Sequence, residues 1–168
     1  MKAYTKEVDM YQDIIDSISK KLSFLGYKYK VFKTWQNFDP ELKAMYPQVC
    51  SILNKDVLPD ITVVYQNENG ENKCLIIEVK IGNLTVKDIG QAKIYTEVFN
   101  ADSALLVSLV KVRKSFVEFH NYNEHFLKCS NGAQLYICAL ENEQLQLQSC
   151  FPSDGGILKW LLITKLIF

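Results

Sequence analysis

The chain has 168 residues, of which 48% are hydrophobic and 23% charged. A chain of this length and composition can bury a substantial core, so we predict a single domain over residues 1–168 rather than a multidomain protein. Its 19 basic and 19 acidic residues give a formal net charge of zero, so the total charge gives no indication of a nucleic-acid partner.

The five cysteines are an odd number and contain no CxxC pair. This spacing disfavours a zinc ribbon or an iron–sulfur cluster. Cys74 and Cys138 lie in apolar runs, where we predict small core residues. Residues 1–10 are polar and contain no apolar signal core, so we expect a protein of the reducing cytoplasm. The two histidines, His120 and His125, have the wrong spacing on a helix to share a metal ion.

The first predicted elements are a helix over Tyr4–Leu25, which ends at Gly26, and a strand over Tyr27–Lys33. The helix carries apolar residues at three-four spacing: Val8, Tyr11, Ile15, Ile18, Leu22 and Leu25. The segment Thr34–Val57 has no regular pattern beyond one helical turn after Pro40. A connection of this length is uncommon unless it is functional or flexible.

Two apolar strands follow, Leu58–Val64 and Leu75–Lys80, joined across residues 67–71. A plain two-residue turn would place the carboxylates of Asp60 and Glu78 on opposite faces of the sheet. We therefore predict a three-residue connection of residues 68–70 with Gly70 left-handed and a G1 bulge, which sets Asp60 opposite Glu78; a bulge elsewhere in the hairpin would serve equally.

The second of these strands ends in Glu78-Val79-Lys80, which places a carboxylate and an ammonium on one face. Two further Glu-x-Lys patterns, Glu41–Lys43 and Glu71–Lys73, lie in polar surroundings and are interpreted as solvated charge. Charges at the end of a core strand need a reason, because an unpaired buried charge is unfavourable. The alternative is that Glu78 and Lys80 are only the polar end of a strand that emerges into solvent.

Asp60 and Glu78 together are a donor set suited to Mg²⁺, which prefers one or two carboxylates with water and substrate phosphate. Lys80 is suited to hold or activate the attacking water and to offset the charge that develops on a phosphorus centre. The sequence thus indicates the chemistry of a metal-dependent phosphodiesterase.

A helix is predicted over Thr85–Asn100, with Thr85 as N-cap and Asp88 as its capping-box partner. At helical spacing Gln91 shares the face expected to pack on the sheet, which contains Ile94, Tyr95, Val98 and Phe99. A glutamine in an apolar stripe must find hydrogen bonds. It could bind the backbone as a core residue, with Tyr95 as a packed aromatic, or both could border a site.

The remaining elements are a strand over Ala104–Val110, a helix over Arg113–Lys128 and a strand over Gln134–Leu140. Helix, three strands, helix and strand, with C-terminal additions, make an α/β fold with a mixed sheet flanked by helices. The apolar tail, residues 157–168, is too short to span a bilayer. It either folds back on the core or forms a protomer interface.

These motifs resemble the PD-(D/E)xK nuclease superfamily, in its RecB-like and Holliday-junction-resolvase-like branch. Pro59-Asp60 matches the first motif, Glu78-Val79-Lys80 the second and Gln91-x-x-x-Tyr95 the third, so the resemblance covers about residues 60–108. It implies a restriction-endonuclease-like core of order αβββαβ. It also implies the catalytic residues Asp60, Glu78, Lys80, Gln91 and Tyr95, and the metal ligands Asp60, Glu78, Val79 and Glu7. Glu7, in the first helix, is equally what a helix dipole favours. The implied cofactor is Mg²⁺, with Mn²⁺ as a substitute.

The resemblance further implies a nuclease that acts on nucleic acid, most often DNA, and that forms a homodimer or higher homo-oligomer. No membrane partner is expected. Arg113 is the only arginine, and arginine makes the commonest specific contact to guanine, so we expect selectivity for structure or ends rather than base sequence. The alternative is a catalytically inactive nucleic-acid-binding or assembly protein that keeps the fold.

Overall fold

A six-stranded mixed sheet organises the computed structural model, which describes residues 3–53 and 57–152. The strands lie in chain order, and their partners run antiparallel except β3 with β4 and β4 with β5. The helices are α1 (Val8–Phe24), α2 (Pro40–Met45), α3 (Pro47–Ile52), α4 (Val86–Val98), α5 (Lys114–Tyr122) and a 3₁₀ helix (Glu124–Leu127). The strands are β1 (Tyr29–Phe32), β2 (Ile61–Gln66), β3 (Asn72–Lys80), β4 (Ser103–Ser108), β5 (Gln134–Glu141) and β6 (Gln144–Phe151).

The sheet separates two apolar cores. On one face α1 packs on the side chains of β2 and β3 that include Val63, Ile77 and Val79. On the other face α4 and the short helices pack on Val64 and Ile76. The predicted α/β class with a mixed sheet flanked by helices is therefore confirmed.

The predicted hairpin register is confirmed. Ile61 pairs with Ile77 and Gln66 with Asn72, so the next pair at the strand end is Asp60 and Glu78. Gly70 has φ +75° and donates its N–H to the Asn67 carbonyl, and the Asn67 N–H donates to Glu71. A left-handed residue at this position is what a three-residue connection with a G1 bulge requires.

Helix α1 starts later than predicted, because Asp9 accepts the backbone N–H groups of Thr5 and Lys6 and holds them outside the helix. The stripe is also shifted. Val8 is 49% exposed, while Met10 and Ile14 are buried in its place. The end of the helix agrees with the prediction, since Gly26 has φ +73°.

The segment after β1 is more ordered than its sequence indicated. Asp39 caps α2 by accepting the Glu41 N–H, and Pro40 and Pro47 occupy the first turns of α2 and α3, where a missing N–H is harmless. Leu42 and Val49 are fully buried and anchor these helices on the α4 side.

The predicted helix over 113–128 is wrong as a continuous element. It breaks at Asn123, where φ −141° and ψ 80° leave the helical region, and a 3₁₀ turn follows. His120 and His125 therefore lie in different elements. The sequence predicted C-terminal additions to the core but not that they form the strand β6. The apolar tail, residues 157–168, and the protomer interface suggested for it lie outside the described residues.

The two cysteines predicted as core residues are both buried, but they differ chemically. Cys74 is a free thiol, whereas Cys138 is disulfide-bonded. Disulfides are uncommon in a reducing compartment, so the bonded Cys138 does not support the predicted cytoplasmic location. That location stays a prediction. Among the described residues no helix is both long and apolar enough to cross a membrane.

Candidate active site

Asp60 lies at the start of β2 and is held from several sides. Its Oδ1 accepts a hydrogen bond from the Tyr11 hydroxyl at 2.5 Å, and its Oδ2 accepts the Val79 N–H at 2.7 Å. Its own carbonyl accepts the Thr34 hydroxyl at 3.1 Å and the Trp35 N–H at 3.0 Å. These contacts fix both the backbone and the carboxylate of Asp60 between α1 and β3.

Glu78 occupies the adjacent position on β3 and is the most buried charged side chain of the site. It is 2% exposed, and its Oε1 accepts Lys80 Nζ and Gln91 Nε2, both at 3.0 Å. Among the described residues no partner makes a hydrogen bond of normal geometry to its buried Oε2, although the Asp60 backbone N–H lies close enough to the Glu78 carboxylate to lower its pKa. A buried carboxylate oxygen without a partner is unusual in a folded protein and needs an explanation.

Lys80 connects β3 to the start of α1. Its ammonium lies 3.0 Å from Glu78 Oε1 and 3.8 Å from Glu7 Oε1. Glu7 is the residue directly before α1 and is half-exposed, so the structure brings this predicted residue to the site through Lys80. We find no contact in the described structure that puts Glu7 against Asp60 or Glu78 directly.

Gln91 and Tyr95 reach the site from α4, whose Thr85–Asp88 capping box is present as predicted. Besides Glu78, Gln91 Nε2 donates to the Tyr95 hydroxyl at 2.9 Å. Gln91 thus binds a carboxylate rather than the backbone, and Tyr95 is buried behind it. The predicted helix face is confirmed at Tyr95 and Phe99, which are buried, but it is wrong at Ile94, which is 54% exposed. Ile89, Ala92 and Thr96 complete the buried side.

Val79 can take part only through its backbone, since its side chain is buried in the core on the α1 side. Its N–H points toward Asp60. In an antiparallel ladder the N–H and C=O of one residue face the same neighbouring strand, so the Val79 carbonyl faces the Asp60 side as well. It is therefore an available oxygen donor.

Burial and mutual repulsion disturb the ionisation of both carboxylates. Burial, followed by the negative charge of Asp60, raises the pKa of Glu78 to about 7. Burial also raises the pKa of Asp60, against the hydrogen bonds from Tyr11 and Val79 that lower it. Closely spaced carboxylates that cannot both ionise easily are a recurring feature of functional sites.

The pKa of Lys80 is raised too, but for a lysine a raised pKa favours the charged form. Burial lowers the pKa of Lys80, but the negative charges of Glu78, Glu7 and Asp60 outweigh this effect and raise its pKa. Lys80 is therefore a cation at neutral pH. Such a group donates hydrogen bonds and stabilises negative charge rather than accepting a proton.

Tyr11 is the residue at this site that the sequence patterns missed. It sits in the apolar stripe of α1, is 5% exposed, and its ring contacts that of Trp35 at a centroid distance of 4.5 Å. The available signal was its spacing: Tyr11 follows Glu7 by four residues, which places both on one side of α1. Nothing in the sequence showed that this side faces Asp60.

The oxygen donors of the site suit some metal ions and not others. Within residues 3–53 and 57–152 no group of three or more His, Cys, Asp or Glu side chains is arranged to hold a metal ion. The site offers the carboxylates of Asp60 and Glu78, the latter with its unpartnered Oε2, and a backbone carbonyl. This set fits Mg²⁺, which commonly takes one or two protein carboxylates and completes its shell with water and phosphate, and it does not fit a metal that needs three protein side chains.

Comparison with known proteins gives no assignment, since the chain matches no protein-family model, no curated protein and no solved structure.

Proposed function

We propose that this protein is a metal-dependent nuclease that hydrolyses phosphodiester bonds in DNA, with selectivity for structure or ends rather than for base sequence. The observation that carries the proposal is the junction of Asp60, Glu78 and Lys80 around a buried carboxylate oxygen without a partner. A solvated strand end would not bury Glu78 to 2% exposure. The proposal includes a restriction-endonuclease-like core, with which the order α1, β1, β2, β3, α4 and β4 is consistent once the short helices α2 and α3 between β1 and β2 are set aside.

In this proposal Asp60, Glu78 and the Val79 carbonyl would hold Mg²⁺, or Mn²⁺ in its place. When bound, such an ion lowers the pKa of water and stabilises charge on phosphoryl oxygens. The proton on Glu78 must leave for the carboxylate to act as a ligand. Because burial and the charge of Asp60 raise the pKa of Glu78, metal binding should weaken as the pH falls.

The other side chains of the site orient the proposed metal ligands and stabilise negative charge. Lys80, held 3.0 Å from Glu78 Oε1, presents a positive charge where the attacking water and a phosphate oxygen would lie, and it stabilises the charge of the transition state. Gln91 fixes one oxygen of Glu78 and leaves Oε2 free. Tyr95 anchors Gln91 in turn.

The charges on the surface favour recognition of DNA shape at the site rather than binding by a broad basic face. Three exposed lysines that could neutralise phosphates are paired with acids: Lys30 with Glu41, Lys111 with Glu141 and Lys114 with Glu118. Since exposed pairs of this kind are weak, DNA phosphates can compete for these lysines. If these pairs persist in the complex, these three lysines neutralise few phosphates, so binding should depend mainly on contacts at the Asp60–Glu78 site and only weakly on salt.

A substrate panel tests the proposal. Labelled duplex, single-stranded, flap and four-way-junction DNA, with matched RNA, would be incubated with Mg²⁺ or Mn²⁺ and, in parallel, with EDTA. We expect cleavage of at least one DNA substrate that requires metal and disappears in Glu78→Gln. Cleavage that persists in EDTA or in Glu78→Gln would contradict the proposal.

The second candidate is an inactive protein that binds nucleic acid or assembles through this fold. It predicts retention of DNA in a mobility-shift assay without cleavage under any metal. The presence of all three of Asp60, Glu78 and Lys80, together with Gln91 on Glu78, favours the enzyme, because a site released from catalysis would not keep a buried charge that costs stability.

A further inference from the structure

Two helices serve the site with similar pairs of residues. From α4, Gln91 binds Glu78 while Tyr95, four residues on, supports Gln91. From α1, Glu7 lies near Lys80, and Tyr11, again four residues on, binds Asp60 directly. The sequence patterns account for the α4 pair but not for Tyr11.

The Tyr11 ring is held in place by packing that does not involve the Asp60 carboxylate. Its ring is 5% exposed and lies 4.5 Å from the Trp35 ring at an interplanar angle of 57°. Trp35 is in turn bound to the Asp60 carbonyl through its backbone N–H. The donor of the hydrogen bond and the backbone of its acceptor are thus parts of one packed unit.

The contact also decides how the carboxylate is oriented. The Val79 N–H binds Oδ2 and the Tyr11 hydroxyl binds Oδ1, so rotation about the carboxylate axis would break both bonds. Each carboxylate oxygen has two acceptor directions. A metal can therefore use the remaining direction without displacing Tyr11.

We infer that Tyr11 is the positioning residue for Asp60: its hydroxyl holds the carboxylate in the orientation that binds the metal. The inference rests on the proposed function. Outer partners that orient metal ligands commonly contribute about 10- to 100-fold in metal affinity or activity. A purely structural tyrosine would contribute to folding stability alone.

The test compares Tyr11→Phe with Tyr4→Phe. Phenylalanine keeps the ring that packs on Trp35 and removes only the hydroxyl. Tyr4 also donates to an aspartate, Asp13, at 2.9 Å, and Asp13 is not one of the proposed metal ligands, so Tyr4→Phe controls for the loss of a tyrosine–aspartate hydrogen bond. Mn²⁺ binding to the free protein would be followed by the electron paramagnetic resonance signal of unbound Mn²⁺. The metal concentration for half-maximal DNA cleavage gives the same comparison on substrate.

We expect Tyr11→Phe to bind Mn²⁺ about 10- to 100-fold more weakly, and to recover cleavage close to wild type at saturating Mn²⁺. Tyr4→Phe should match wild type in both measurements. A wild-type protein that binds metal and cleaves, beside a Tyr11→Phe protein of equal metal affinity and reduced melting temperature, would overturn this inference alone. A wild-type protein that neither binds Mn²⁺ nor cleaves would overturn the proposed function, and this inference with it.

Discussion

The pattern Glu-x-Lys occurs at both ends of β3, and its two copies have opposite surroundings. Where the strand begins, Glu71 and Lys73 lie 3.4 Å apart with side chains 58% and 31% exposed. Where it ends, Glu78 and Lys80 lie 3.0 Å apart with side chains 2% and 20% exposed. Each glutamate also accepts a side-chain amide, Asn67 at 2.8 Å and Gln91 at 3.0 Å respectively.

Each copy combines a glutamate, a lysine and a side-chain amide, yet the pKa of the glutamate shifts in opposite directions. Hydrogen bonds from Asn67 and Lys73 lower the pKa of Glu71. Burial and the charge of Asp60 raise the pKa of Glu78 to about 7, although a lysine and a glutamine bind it too. The motif therefore does not determine the chemistry. A second carboxylate and burial distinguish the copy at Glu78 and Lys80, and the exposed copy provides a matched control for substitutions of its glutamate, lysine and amide.

The largest expected difference is between Glu78→Gln and Glu71→Gln. Removing a proposed metal ligand should lower cleavage by more than about 100-fold, since outer partners of ligands alone account for about 10- to 100-fold. Glu71→Gln should cleave like wild type. The measurement is kcat/KM on the best DNA substrate, with folding checked by circular dichroism.

Equal activity of the two variants would mean that the buried copy is only a strand end. Asp60→Asn should behave like Glu78→Gln, because both supply the same donor set.

The second comparison is between Lys80→Met and Lys73→Met. Lys80 supplies transition-state charge rather than a metal ligand, so its loss should lower kcat by about 10²- to 10³-fold. Mn²⁺ binding should remain. Lys73 pairs with Glu71 and Asp102 near the surface, where such pairs contribute about 0–1 kcal/mol, and its variant should retain full cleavage. Loss of Mn²⁺ binding in Lys80→Met would assign the lysine a structural role in the donor set.

As the pH changes, Glu78 and Glu71 should change the folding stability in opposite directions. Burial and the charge of Asp60 raise the pKa of Glu78 on folding, from its ordinary value of 4.5 to about 7. Between these values the unfolded chain has released a proton that the folded protein keeps, so stability is lost as pH rises and stays lower above the window. Glu78→Gln should therefore gain stability relative to wild type across that window, on the order of 3 kcal/mol.

Glu71 should show the reverse. Its pKa is lowered on folding, so its contribution is present above its ordinary pKa and is lost as pH falls. Denaturant unfolding of both variants at about pH 4 and about pH 8 measures the two trends. A Glu78→Gln curve parallel to wild type at both pH values would contradict the raised pKa.

The periodic elements and the hairpin register could be predicted from the sequence, because strand alternation and turn geometry are local. Requiring Asp60 and Glu78 on one face was enough to predict the left-handed Gly70. The Thr85–Asp88 capping box was equally local. Predictions failed where tertiary packing decided the outcome, as at exposed Val8 and Ile94 and at the break at Asn123.

The same division holds within the candidate site. Asp60, Glu78, Lys80, Gln91 and Tyr95 lie on adjacent strands and the next helix, so their convergence follows from neighbouring chain segments. Tyr11 is 49 residues from Asp60 in sequence. Its role depends on how α1 crosses the sheet, and an apolar stripe gives no information about which of its members faces a carboxylate.

The smallest expected effect concerns the two amides that bind the glutamates. Gln91→Ala removes a donor from the buried Oε1 of Glu78, so we expect cleavage to fall about tenfold. Asn67 supports Glu71 and also accepts the N–H groups of Asn69 and Glu71 in the turn. Asn67→Ala should therefore cost about 1 kcal/mol of folding stability per hydrogen bond lost and leave kcat/KM of the folded protein unchanged. Cleavage assays normalised to the folded fraction separate these outcomes. If both variants lost stability and neither lost cleavage, Gln91 would be a core residue and its contact with Glu78 would serve packing alone.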